Sequence, residues 1–484
     1  MNKLMATIKH LAKLALLSGA LLLGGCIEGA GTQLADGIGG TGITMGRLTG
    51  FGSVYVNGIH FNTDNAQFIR DGASADSQSD FNIGEIIRVE GTVNADRKTG
   101  IASKVIYSDV LEGSVTRVAD GHILKIMEQM VITDQLTVFH GFKRLADLKI
   151  DNIVEVSGYT DANGNIKATS IKLLSEAYES GAILEIEGTV SQLNVAAQTF
   201  KINDLTVHYS QAQLIDLTHA ELRNGIYLAV TTNQEINASI MIAAELIKLD
   251  DALEKGVIYE IEGLVSYFLA TGYFEVDGFP VSTNEDTTFE NGTAADIDED
   301  SLLIVTGTAN AQGIIVAESV ILIDYSTEIY METTISAVDQ ASQTIKVLGQ
   351  TVNVDTHTLL SDDTTDDFVV LNLTQFAVGT PVYIVVYRDQ NDDYSASRLS
   401  KITPIDSTYL SGQIENLDIA QGQFTLFRQN ITSNASTLFL DENFNELSQQ
   451  EFFNRVDDET QISVNGQQIS DDYILADSLI IEVE

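Results

Sequence analysis

The chain has 484 residues, with 69 acidic side chains against 26 basic ones and a formal charge of −43. That length holds several domains. That charge repels phosphates, which a nucleic-acid partner would need Lys and Arg to neutralise, so the composition argues against such a partner and for a solvated acidic surface or a capacity for cations.

The amino end comes first. Lys3, Lys9 and Lys13 precede an apolar stretch, residues 11–23, that is too short for a comfortable membrane span. It ends in Leu23-Gly24-Gly25-Cys26, and Cys26 is the chain's one cysteine, so no intramolecular disulfide forms. This stretch resembles the lipobox of bacterial lipoproteins. The resemblance implies a signal peptide over residues 1–25, a diacylglyceryl thioether on Cys26, fatty-acyl chains of the palmitate type, and an outer-membrane address, since Ile27 rather than Asp follows. No later segment reaches span length without charges, which leaves the lipid as the membrane contact. Residues 26–45 are glycine-rich and read as a tether. A phosphate loop there would need a Lys-Ser/Thr ending and a preceding strand.

From there a short stretch recurs. Large apolar residues sit at i, i+2 and i+7, as in Phe200-Lys201-Ile202-Asn203-Asp204-Leu205-Thr206-Val207, with copies starting at residues 54, 124, 200, 274, 345 and 424. In three copies the step between is a turn dipeptide or close to one: Asn57-Gly58, Asn203-Asp204 and Asp277-Gly278. Alternation of period two around such a step predicts a β-hairpin. In the two last copies Leu348-Gly349 and Arg428-Gln429 stand in its place.

Upstream lies a strand with an internal glycine, seen as Leu184 to Val190 and Tyr259 to Val265, with Gly46, Gly113, Gly188, Gly263 and Gly412. Such a glycine weakens a strand unless it allows a bulge or a sharp coil. Downstream come two more strands, clearest around Val154 and Ile171 with a turn at residues 161–165 between. The count is five strands per copy, with a gap between the third and fourth. Residues 211–222 and 442–456 read as helices in that gap, the second with Asp441 as cap and Phe444, Leu447 and Phe452 on one face. This order is that of the five-stranded OB barrel; a plain β-sandwich is the alternative.

Tandem units with these motifs — Gly-x-Val in the first strand, apolar-x-Val-Asn-Gly in the hairpin, Gly-x-x-Val-x-Val-x-Gly in the fourth — resemble a domain-of-unknown-function family of bacterial lipoproteins. The expected fold is all-β: six small OB-like barrels in an elongated tandem array. The expected boundaries are 46–110, 111–182, 183–256, 257–328, 329–406 and 407–484.

The seven histidines, His10, His60, His122, His140, His208, His219 and His357, form no metal pair and take no common position in the repeats. No nucleophile elbow or Walker loop is present. Calcium finds hard oxygens at Asp161, Asn163 and Asn165, at Asp389, Asn391 and Asp393, and in acidic clusters at residues 296–300 and 362–367. The first two sets lie where a hairpin needs a turn, and Asp, Asn and Gly are explained by that alone. The reading is therefore a non-enzymatic envelope lipoprotein, in the periplasm or on the surface, that binds an unknown protein or glycan and needs no cofactor. A calcium-stabilised spacer or adhesin is the alternative, and an envelope hydrolase a more distant one.

Overall fold

The computed structural model describes residues 41–482 apart from 119–121, 237–238, 250–252, 324–327, 366–367, 389–391 and 459. The stretch read as a signal peptide, residues 1–25, and Cys26 lie outside the described residues. The first strand begins at Thr41, so residues 41–45 of the stretch assigned above to the tether belong to it.

In the first repeat five strands form a closed ring. They are Thr41–Phe51, Val54–Val56, Ile59–Asn62, Ile86–Val93 and Thr99–Tyr107. The first pairs antiparallel with the second, the second with the third, the fourth with the fifth and the first with the fourth; the third and fifth run parallel. That is the OB ring, and closure settles barrel against sandwich. The same ring closes in the segments opening at Leu111, Leu184 and Ile258. It also closes in those opening at Ile329 and Thr408. Inward residues of the recurring hairpin are buried in each copy, as with Phe61, Val131, Phe200, Phe274, Val352 and Phe424.

Two glycine positions follow from close approach. A Cβ on Gly91, Gly158, Gly307 or Gly466 would lie 2.2 to 2.4 Å from a carbonyl oxygen of the fifth strand. Each sits at a bulge opposite a small buried residue: Ala102, Ala168, Ala317 and Ala476. The first-strand glycine serves differently from the expected bend. The bulges come after it, between Leu48 and Gly50 or Val115 and Arg117. The space over Gly46, Gly113 and Gly263 is filled by Asn57, Met127 and Asp277, the residues at the tip of the hairpin.

The gap after the third strand holds no helix at residues 211–222. It holds the strand Gln213–Ile215, parallel to Glu245–Lys248. Short strands in the same place run parallel to the fifth strand in every other repeat, so sheet pairing overrides local helix propensity. The expected helix at 442–456 shrinks to Gln449–Phe453, capped by Ser448. Asp441 instead accepts from the Asn443 and Asn445 N–H groups at 3.0 and 2.8 Å. That turn leaves Phe444 71% exposed at φ +60°.

The repeats fall into two units, one ending at Ile323 and one beginning at Asp324. Within each unit, first strands join barrels edge to edge. Leu111–Val118 pairs antiparallel with Leu184–Thr189, and repeats two and three share one apolar core. Ile329–Thr334 pairs antiparallel with Thr408–Gln413, and repeats five and six share another. The first repeat does not simply adjoin the second in a line. Gly42 to Met45 pair in parallel with Ile258 to Ile261 of repeat four. The expected end-to-end order is thus overturned in the first unit, where a bare first-strand edge is covered by a barrel three repeats away.

Candidate functional site

Two kinds of place combine polar chemistry with position: the seams between barrels and the open outer faces of the sheets. The most charged seam joins the first three repeats. Arg70 ends a short strand, Gln67–Arg70. Its guanidinium donates to both Glu85 carboxylate oxygens at 2.9 and 3.0 Å and to the Asp80 carbonyl at 3.1 Å. It also donates to Glu155 of repeat two and lies 4.3 Å from the Tyr107 ring centre. The Tyr107 hydroxyl donates to the same Glu155 oxygen at 3.2 Å. Burial opposes the charge on Arg70, but Glu155 and Glu85 outweigh it and raise its pKa. Burial pushes the Glu85 carboxyl up despite Arg70, and pushes the Tyr107 phenol well up.

Register carries the acidity across the sheet. Glu155 lies opposite Glu112, and Glu112 opposite Glu185. Like charges directly opposite on adjacent strands repel. Asp109 sits at the start of this row, 4% exposed. Burial first, then Asp71, Glu185, Glu112 and Glu155, hold its carboxyl well above the usual range. Beside them the His140 ring nitrogen meets the Ile83 carbonyl at 2.8 Å, and burial lowers its pKa to about 4.

The seam of repeats two and three is completed by amides. Asn203 at the hairpin tip donates to Gln129 Oε1 at 2.7 Å and to the Gly164 carbonyl at 2.9 Å. In the fifth and sixth repeats the corresponding seam is aromatic. Phe427 packs at a tilt against Tyr394 with ring centres 4.4 Å apart, and Arg428 lies 5.1 Å from the Tyr394 ring while donating to Asp392. The hairpin turn is therefore Phe427-Arg428, both at positive φ, one residue before the Arg428-Gln429 step read from the sequence and in line with the spacing of the other copies.

The other sequence-derived residues have plain positions. Asn57, Gly58, Asp277 and Gly278 have positive φ, as a two-residue hairpin turn requires, and so does Asn203; Asp204 lies 3.8 Å from Lys125. The Asp161 carboxylate is occupied by its own turn. It accepts from the N–H groups of Asn163 and Asn165 at 2.9 and 2.8 Å and from the Asn165 amide at 2.8 Å. Asp389 and Asn391 lie outside the described residues, while Asp393 is exposed. Asp296 accepts from the Thr293 N–H and hydroxyl, and Asp363 pairs with Arg398 at 2.9 Å. Among the described residues no three acidic or histidine side chains converge to hold a metal ion.

Three features escaped the sequence. A buried threonine in the gap donates to the fifth strand: Thr137 to Ala168, Thr287 to Ala317 and Thr358 to Ala396 at 2.8 Å, and Thr437 to Ala476 at 2.7 Å. Its signal was Asp/Asn-x-x-Thr after the hairpin in these four repeats. The seam acids were signalled by a Glu just before the first-strand glycine, at Glu112, Glu187 and Glu262. Glu262 indeed accepts from the Arg47 N–H at 3.1 Å across the seam of repeats one and four. The third feature is on the outer faces. In repeat three Ile240 and Ile242 are exposed beside Thr206 and His208, and Val195 at the tip of the first hairpin is 70% exposed. In repeat six Tyr473 holds the position of Ile240, and Ile419, at the tip, is 54% exposed.

The sequence model of the family described as "Domain of unknown function (DUF5666)" matches residues 44–105, 112–172, 262–321 and 332–400, just over half of the chain. The chain belongs to this family. Its matches cover repeats one, two, four and five, and leave out the third and sixth, in which Val195 and Ile419 at the first hairpin tip are exposed. No curated protein matches the sequence. Among solved structures, "drosophila Unr CSD456" aligns at 14% identity over 62% of this chain and 99% of its own, with a TM-score of 0.13. At that score it bears on no argument here.

Proposed function

We propose that the chain is a non-catalytic binding scaffold of the cell envelope, and that the outer faces of repeats three and six are its ligand-contacting surfaces. The observation that carries this reading is the equivalence of the exposed Val195 and Ile240 with the exposed Ile419 and Tyr473; the exposed Ile242 is matched by the half-buried Leu475. Both sets lie on the first hairpin tip and on the fifth strand, beside the second and third strands. In the OB fold that face and the adjoining loops are where ligands lie. Exposed apolar residues grouped on one face favour a partner with an apolar component, such as a protein segment or the flat face of a sugar. The buried acids and Arg70 are engaged between barrels, which speaks for assembly rather than catalysis. The lipobox-like stretch supports anchoring through Cys26 at the outer membrane.

The test places a photo-crosslinking residue at Val195, Ile242 or Ile419 in cells, with the exposed Thr116 position as control. Adducts at Val195 and Ile242 that vanish on Ile240→Asp, and adducts at Ile419 that vanish on Tyr473→Asp, support the reading; equal labelling at Thr116 refutes it. Protease treatment of intact and permeabilised cells then reports surface or periplasmic placement, and Cys26→Ser tests the anchor by releasing the chain from the membrane fraction.

A further inference from the structure

The seam of the first three repeats contains more negative charge than its cations balance. Asp71, Glu85, Asp109, Glu112, Glu155 and Glu185 meet there. Arg70 is shared between Glu85 and Glu155, and Lys172 lies in register with Glu155 on its far side. Asp109 stands in the middle, on the link between the fifth strand of repeat one, Thr99–Tyr107, and the first strand of repeat two, Leu111–Val118. Its neighbours come from every element around it. Asp71 is held close because its N–H donates to the Tyr107 carbonyl at 3.0 Å. Glu112 comes from repeat two's first strand, Glu155 from its fourth, and Glu185 from the first strand of repeat three. The neighbouring Val110 is fixed on both sides: its N–H donates to Val156 and its carbonyl accepts from Glu187. Asp109 therefore cannot swing out without opening the joint.

Asp109 Oδ2 is buried without a hydrogen-bond partner. An ionised, unpaired oxygen in that place would carry a full desolvation cost beside four like charges. Either a cation or a proton removes that cost. Among the described residues no three of these groups converge on a point from which a metal ion could be held, so the geometry favours the proton.

We propose that Asp109 is a proton-binding site that latches repeats one, two and three, so that the first unit tightens as the surroundings become acidic. A buried acid that binds its proton more strongly folded than unfolded gives stability that is complete below the ordinary Asp range. That stability is lost as pH rises through the folded state's own titration. His140, near Arg70, acts in the opposite sense, because as a buried neutral ring it resists protonation below about pH 6.5. The latch is therefore read most clearly from neutral pH upward.

The experiment uses the full chain and follows the first unit's unfolding midpoint from about pH 6 to about pH 9, in wild type, Asp109→Asn and Glu185→Gln. Asp109→Asn mimics the protonated acid. It is expected to abolish most of the wild type's decline and to match or exceed wild type at the alkaline end. Glu185→Gln removes one charge facing Asp109 and is expected to move the decline to lower pH. A decline unchanged in both variants overturns the proposal. So does an alkaline wild-type midpoint that calcium or magnesium chloride restores while Asp109→Asn gains nothing, which would make the site a cation site. If Asp109→Asn fails to fold, the direction of the Glu185→Gln shift decides alone.

Discussion

The seam of repeats two and three and the seam of repeats five and six use the same antiparallel pairing of first strands and hold different chemistry. In the first, Glu112 faces Glu155 on one side and Glu185 on the other. In the second, Glu332 faces Tyr383 and Tyr409, and the Tyr409 hydroxyl meets Ser463 Oγ at 2.8 Å. The hairpin tips differ likewise, with the amide of Asn203 in one and Phe427-Arg428 in the other. Backbone pairing thus sets how barrels join, while side chains on the outer rows decide what the joint responds to. The second seam sets one carboxylate between two aromatic rings, and the first sets three carboxylates in a row.

The sharpest way to break the comparison is at the fourth-strand bulge. Gly158 and Val386 hold equivalent places, each opposite an alanine. A Cβ on Gly158 would lie 2.2 Å from the Lys167 carbonyl oxygen. Gly158→Val should therefore cost about 3 kcal/mol or more, although valine is native at the corresponding site of repeat five. Calorimetry of the full chain should show the first unit's transition lowered and the second's unmoved. A loss below about 1 kcal/mol would mean that the strand relaxes as repeat five has done.

Next in size is Phe427→Ala. The ring is 1% exposed and packs on Tyr394 of the neighbouring barrel, so its removal should cost about 3 kcal/mol or more in the second unit. The corresponding Asn203→Ala in the first unit should cost about 1 kcal/mol, from two lost hydrogen bonds. Equal losses would show that the tips contribute alike despite their chemistry.

The third effect depends on pH. His140 titrates at about 4 in the folded state, below its ordinary value of about 6.5. Between these the unfolded chain takes the proton first, so the first unit loses stability as pH falls through that window. His140→Gln should remove that loss, on the order of 3 kcal/mol at the acid end, read as a smaller drop in its unfolding midpoint. The second unit should show no counterpart. A wild-type midpoint that does not change with His140→Gln anywhere in that range would show that the ring is solvated.

Much of this is legible in the sequence, and the division is physical. Hairpins were readable because Asn57-Gly58 and Asp277-Gly278 declare a turn within four residues. The ring followed because Phe200, Ile202 and Val207 alternate on a fixed face. Pairings between repeats were not readable. Nothing local to Ile43 names Tyr259 as its partner, and Glu112 gives no hint that Glu185, far along the chain, will lie opposite. The helix readings at 211–222 and 442–456 failed for a related reason: the parallel partner that makes Gln213–Ile215 a strand lies beyond residue 240. The seam acids looked like ordinary outward residues because an outward face is exposed only when no barrel covers it.

The smallest effect concerns Arg428. Its guanidinium lies 5.1 Å from the Tyr394 ring and reaches Asp392, but its side chain is 42% exposed. Cation–π and ion-pair terms at such a site amount to about 0.5–1 kcal/mol. Arg428→Ala should lower the second unit's midpoint slightly, and raising the salt concentration should shrink the difference between variant and wild type. Arg428→Lys keeps the charge and loses the planar fork. If stacking on Tyr394 is the larger part, lysine should behave as alanine does at high salt; if the Asp392 pair is, lysine should match arginine at low salt. Asn203→Ala removes no charge and leaves the Lys125–Asp204 pair in place, so the same salt series should leave its deficit unchanged.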